Sequence, residues 1–132
     1  MAVEIHETAI VDPGAELGKD VSIGPWTIVG KHVRIGDSTR IDSCVRIEGR
    51  TTIGKNNQIF HGAVIGMPPQ DLKFEDEETT VDIGDGNVIR EYATIHLACE
   101  EGESTVVGGG NLLMAYTHIA HNCRIGSNVI LA

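Results

Sequence analysis

Two histidines three positions apart, His118 and His121, stand in the stretch Thr117-His118-Ile119-Ala120-His121-Asn122-Cys123. An unperturbed imidazole titrates near ~6.5, so at neutral pH it holds a lone pair able to take a proton. Acyl transfer to a hydroxyl needs such a base: the hydroxyl loses its proton as it attacks the carbonyl, and donors nearby stabilise the oxyanion. Asn122 adjoins His121 and is placed to steady its ring. Asp71 offers a carboxylate to a histidine tautomer or a substrate hydroxyl, and Lys73 a cation to a phosphate. His61 and His96 are further candidates, whereas His6 and His32 read as surface residues. Solvent-facing histidines are common, so residue types alone leave both readings of the pair open.

The elements that must position these groups follow from a period of six. Ile5, Val11, Leu17, Ile23, Val29, Ile35, Ile41, Ile47, Ile53, Ile59 and Ile65 are each six residues apart, and the register resumes at Ile83, Ile89 and Ile95 and again from Val107 through Leu113, Ile119 and Ile125 to Leu131. Two residues before each stands a small or medium side chain, among them Val21, Thr39, Asn57, Ala93 and Cys123. Gly often follows directly, as at Gly18, Gly36, Gly54, Gly84, Gly108 and Gly126. A helix turns about 600° over six residues and would scatter these positions over its faces. In a strand, positions two and six apart share a face. Each pair is therefore one short strand with both side chains inward, and the Gly-rich remainder is a corner, with Gly supplying backbone angles other residues avoid. Three strands and corners close a coil of about 18 residues, and stacked coils make an all-β parallel β-helix, or solenoid. The whole chain, residues 1–132, reads as one such domain. His118 alternates with Thr117 and Ile119 and so points outward, and His121 falls at the next corner.

The register lapses twice. Gln70–Thr80 puts Asp71 and Glu77 where aliphatics are due, and Leu97–Ser104 puts Glu101 there. Unpaired charges are not buried in an apolar core. Two loop excursions are therefore expected, and loops on a rigid scaffold often carry function.

The net charge of −9 argues against nucleic acid as a partner. The acidic runs Glu75–Glu78 and Glu100–Glu103 read as solvated loop charges. Three cysteines without a CxxC pair give neither a disulfide framework nor a zinc site, and a reducing compartment fits them. Residues 1–17 carry Glu4, Glu7, Asp12 and Glu16 and no apolar core of a signal peptide, and no apolar run is long enough to span a bilayer. A cytoplasmic protein with no stable membrane insertion is expected.

The segment Asn111–Cys123 resembles the active-site segment of the hexapeptide-repeat acyltransferases that transfer acyl chains to UDP-sugars. Gln70-Asp71-Leu72-Lys73 resembles their first loop, and Ile89-Arg90-Glu91 with Thr94-Ile95-His96 a third segment. The resemblance covers essentially the whole chain and corresponds to the family's N-terminal half. It implies a left-handed β-helix, against the general preference for right-handed crossovers, and a homotrimer. It implies O-acyltransfer from the phosphopantetheine thioester of acyl carrier protein to the 3-hydroxyl of UDP-N-acetylglucosamine, at the start of lipid A synthesis. It implies no resident cofactor, no metal and no covalent enzyme intermediate. It makes His121 the general base and His118, Asp71, Gln70, Lys73, His96 and Asn122 substrate-binding, with Gln70, Asp71 and Lys73 brought to the site by a neighbouring subunit. The chain departs from the family after His96, where Leu97-Ala98-Cys99 replaces polar residues. It also ends on a repeat position, before the family's remaining coils and helical C-terminal domain.

Three other readings remain at this level. One is N-acyltransfer to a related UDP-amino sugar. Another is a zinc enzyme of the same fold, with His118 and His121 joined by His61 or His96. The last is a truncated β-helix that only trimerises or binds ligand.

Overall fold

The computed structural model describes residues 2–132; Met1, the first residue of the expected domain, lies outside the described residues. Among the described residues, nineteen short strands pair in parallel into three sheets of seven, six and six strands. The first sheet runs through Ser22–Ile23, Arg40–Ile41, Gln58–Ile59, Val88–Ile89 and Leu112–Leu113. The second includes Arg46–Ile47, Val64–Met67, Thr94–His96 and His118–Ile119. The third includes Arg50–Ile53, Thr80–Ile83, Ser104–Val107 and Arg124–Ile125. Chain order visits first, second and third sheet in turn, so each circuit is one coil of a three-sided parallel β-helix.

The aliphatic of each hexapeptide stacks on its counterpart one coil away: Ile41 pairs with Ile59, Ile47 with Ile65, Ile53 with Ile83. These side chains form one continuous core in which Ile47, Ile65, Ile89, Ile95 and Leu113 are completely buried. Each contributes roughly 1.5–3 kcal/mol of burial. In the first and last coils, Ile5, Ile125 and Leu131 are more exposed because a neighbouring coil covers only one side.

The glycine rule has a different cause from the one the sequence suggested. Gly36, Gly54, Gly84 and Gly108 all follow strands of the third sheet, so they stack along the edge leading back to the first, and none has a positive φ. A Cβ on Gly84 would lie 2.7 Å from the Gly108 carbonyl oxygen, and one on Gly108 would lie 2.5 Å from that of Gly126. Close approach of successive coils, not backbone freedom, selects glycine there. The left-handed corner positions carry larger residues, including Trp26, Cys44, Tyr92, Tyr116 and Asn122, as well as Gly62, Gly86 and Gly110.

Beside the glycines runs a buried asparagine ladder. Asn57 Nδ2 donates to the Gly84 carbonyl while its Oδ1 accepts the Asn87 amide, and Asn87 repeats this with Gly108 and Asn111. Asn111 does so once more with Gly126 and Val129. Each inward amide thereby satisfies backbone groups that a buried corner would leave unpaired.

Both register lapses are loops, as expected. Eighteen positions separate Ile65 from Ile83 and twelve separate Ile95 from Val107, where six separate Ile47 from Ile53. The extra residues are whole multiples of the repeat, which keeps the numerical phase although the chain leaves the coil. Both loops emerge between the second and third sheets, in consecutive coils, and so stack along a single edge of the prism.

Candidate functional site

That edge also holds His121. His118–Ile119 is the terminal strand of the second sheet, and the chain turns at Ala120–Cys123 into Arg124–Ile125. The Cys123 amide donates to the Ala120 carbonyl at 3.2 Å, and Asn122 at the third turn position has φ +63°. Such a turn requires a residue that tolerates the left-handed region, and asparagine does so better than most.

Asn122 is the hub of the corner. Its amide N–H donates to Thr105 Oγ1 at 3.0 Å. Its Oδ1 accepts the Cys99 backbone N–H at 2.9 Å, and its Nδ2 donates to the Glu103 carboxylate. A backbone N–H can only donate and a carboxylate only accept, so the orientation of the amide is fixed. His121 Nδ1 lies 3.1 Å from the same Oδ1. Facing an acceptor, Nδ1 carries the hydrogen, and the neutral ring keeps its lone pair on Nε2. His121 is half-buried rather than fully exposed on the prism surface.

Asp71 comes from the first loop. Its Oδ2 lies 3.9 Å from His121 Nε2. The backbone amide of Lys73 donates to Asp71 Oδ1 at 2.9 Å. That bond holds the carboxyl below the usual carboxylate range; burial opposes it, while the Cys99 thiol, His121 and Lys73 reinforce it. The segment was expected to arrive from a neighbouring subunit. Within this chain the loop emerges one coil from Thr94–His96 and two from His118–Ile119, close enough for Asp71 to fold back onto its own chain's His121. Gln70 and Lys73 are exposed beside it.

His118 stands on the outer face of the second sheet in register with Thr94, whose Oγ1 is 2.7 Å from its Nδ1. Its ring meets that of His96 edge-on at 4.7 Å between centroids. His96 is buried at the start of the second loop, and burial lowers its pKa, with His118 and His121 adding to the effect. His61 belongs elsewhere: Ser43 Oγ lies 2.8 Å from its Nδ1 and Tyr92 Oη 3.1 Å from its Nε2, on the edge between the first and second sheets. The histidine set considered for zinc with His61 is thus divided between two edges.

Sequence reasoning passed over Cys99, Glu103 and Thr105. Cys99 is buried, and burial together with the Asp71 carboxylate raises its thiol pKa. Its sulfur stands beside the Asp71 carboxylate, within 4.8 Å. Its only signal in the sequence was its place in the segment where the family likeness fails.

The site thus joins a half-buried imidazole of defined tautomer to a carboxylate, on an open edge with a second histidine pair adjoining. Known proteins resemble the chain in sequence and fold. Residues 104–132 match the family model for the bacterial transferase hexapeptide (six repeats). The chain is 54% identical over 130 residues to an acyl-[acyl-carrier-protein]--UDP-N-acetylglucosamine O-acyltransferase from Thermodesulfovibrio yellowstonii, covering 98% of this chain and 50% of the relative. It is 56% identical to the enzyme of that name from Paraburkholderia phytofirmans, covering 97% and 49%. The solved UDP-N-acetylglucosamine acyltransferase of Bacteroides fragilis superposes with a TM-score of 0.92 at 44% identity, over 95% of this chain and 49% of that one. That of Francisella novicida gives 0.93 at 43%, over 96% and 46%. The chain spans about half the length of the curated relatives it matches. With this likeness in sequence and in the left-handed parallel β-helix itself, the chain belongs to the hexapeptide-repeat family and is similar along its length to about half of each of these relatives.

Proposed function

We propose that this chain carries the base and acceptor-binding half of an acyl carrier protein-dependent O-acyltransferase acting on UDP-N-acetylglucosamine, the first step of lipid A synthesis. The supporting observation is the tautomer of His121: Asn122 Oδ1 takes the Nδ1 hydrogen and leaves Nε2 free on an open edge. Nε2 accepts the proton of the sugar 3-hydroxyl as its oxygen attacks the thioester carbonyl of the carrier's phosphopantetheine arm. The tetrahedral intermediate then collapses, expelling the pantetheine thiolate, which regains a proton, and leaving an ester on the sugar.

In this reading Asn122 positions the base, while Asp71 orients the acceptor hydroxyl toward Nε2 and stabilises the imidazolium formed beside it. His118 and Gln70 contact the acceptor, and Lys73 meets a nucleotide phosphate. His96, held neutral, lines the thioester path. The working unit is a homotrimer. The three cysteines are unpaired, in keeping with a cytoplasmic enzyme; recovery in a periplasmic fraction would contradict that placement. Among the described residues no helix is long and apolar enough to cross a membrane.

Incubation with an acyl-carrier thioester and UDP-N-acetylglucosamine, read by mass spectrometry, should give the 3-O-acyl product. His121→Ala should lower the rate about 10²–10⁴-fold. Undiminished turnover in that variant would remove His121 as the base. No product from a folded, trimeric chain would favour a binding role alone.

A further inference from the structure

The two loops do more than frame His121. They set a carboxylate, Asp71, and a thiol, Cys99, against it, with one ligand atom from each of the three residues lying within 4.8 Å of the others. We propose that Asp71, Cys99 and His121 form a binding site for a divalent transition metal of the zinc class, and that its occupation silences acyl transfer by engaging Nε2 of His121. The silencing rests on the assignment of His121 as the base; the site itself does not.

The donor set is one oxygen, one sulfur and one imidazole nitrogen, which suits a borderline-soft cation and not magnesium or calcium. Bonds of ~2.0–2.3 Å in a tetrahedron put ligands about 3.3–3.8 Å apart, so closing on the metal moves these atoms inward by roughly an ångström or less. Asp71 Oδ2 and His121 Nε2, at 3.9 Å, are nearly there already.

Each ligand is also oriented by a neighbour, as metal-binding side chains generally are. Asn122 Oδ1 accepts the His121 Nδ1 hydrogen, which turns Nε2 toward Asp71. The Lys73 amide occupies Asp71 Oδ1 and leaves Oδ2 facing His121. The same Asn122 Oδ1 anchors the Cys99 backbone. The three ligands come from two loops and a corner, at positions 71, 99 and 121, a spacing that matches no sequence motif for zinc.

The balance of the binding step is simple. The Cys99 S–H bond breaks, the sulfur pair forms the S–metal bond, and the proton passes to solvent. Asp71, whose pKa is lowered chiefly by the Lys73 amide, enters as a carboxylate and forms a metal–oxygen bond. His121 gives its Nε2 lone pair, so no pair remains to accept a hydroxyl proton. A fourth position stays open to water.

Cobalt(II) is the probe, because a cobalt–thiolate bond absorbs in the near-ultraviolet. Titration of the chain should reach one equivalent with that band and release one proton per metal. Cys99→Ser keeps a hydrogen-bond donor for Asp71 and should lose the band, with an unchanged circular dichroism spectrum confirming the fold. A double Cys44→Ser, Cys123→Ser variant should keep it. Asp71→Asn should weaken binding at least about tenfold. A missing band, or one that survives in Cys99→Ser, overturns the site. In the transfer assay zinc should inhibit the parent, and inhibition should weaken at least about tenfold in Cys99→Ser. Transfer unaffected by zinc where cobalt binds overturns the silencing and leaves the site. Transfer lost in His121→Ala while the parent chain shows no cobalt band overturns the site and leaves the base.

Discussion

At the scale of single residues, chemistry at this edge depends on which atom carries a hydrogen. A histidine beside an asparagine is not informative by itself, since the amide can present either end. Here a backbone N–H and a carboxylate fix that end, and the tautomer of His121 follows from them. His96 shows the complementary effect of burial. Its pKa lies below the ordinary imidazole value because burial disfavours the cation, and His118 and His121 disfavour it further. Between the lowered native value and the ordinary unfolded one, the unfolded chain binds more protons, so stability rises with pH across that window. The His96 contribution is complete above the ordinary value and is lost as the pH falls toward the native one. Melting temperature should therefore decline on acidification below ~6.5, and His96→Gln should flatten the decline. A slope identical in parent and variant would contradict the burial effect.

At the scale of elements, the strands contribute little individuality, since nearly all repeat one pattern. The edges between sheets differ from one another. One carries glycines and asparagines, one carries aromatic residues such as Tyr92 stacked on Tyr116, and one carries the loops and His121. The glycine edge has a direct test. Gly84→Ala forces a methyl against the Gly108 carbonyl and should cost about 1–3 kcal/mol by denaturant unfolding. Gly126 also lacks a positive φ, and a Cβ there meets nothing within 4 Å. Gly126→Ala should therefore be neutral or stabilise by up to about 1 kcal/mol through the unfolded chain. Equal losses at the two positions would exclude coil-to-coil approach as the cause.

At the scale of the whole molecule, parallel stacking makes each coil depend on its neighbours and gives a straight three-edged prism. Leu72 protrudes fully from the first loop and Tyr116 from the aromatic edge, apolar surface that association would cover. Light scattering should give three times the chain mass of 14.1 kDa, and Leu72→Asp should shift the equilibrium toward smaller species. A monomer at every concentration would remove the trimer from the proposal.

The sequence by itself determined the period, the inward aliphatics and the two departures from the coil, because a repeat of six admits only one way of facing a shared core. It also singled out His118 and His121 by type and position. Its account of the glycines was incomplete, since the spacing between coils is a property of the stack and not of the local chain. Tertiary structure alone decided that both loops leave by the same edge, that Asp71 turns back to its own His121, and that Cys99 completes the cluster. Those contacts join residues 22 to 50 positions apart, and no local pattern encodes them. They depend on how many residues the intervening coils take to return each loop to the same corner.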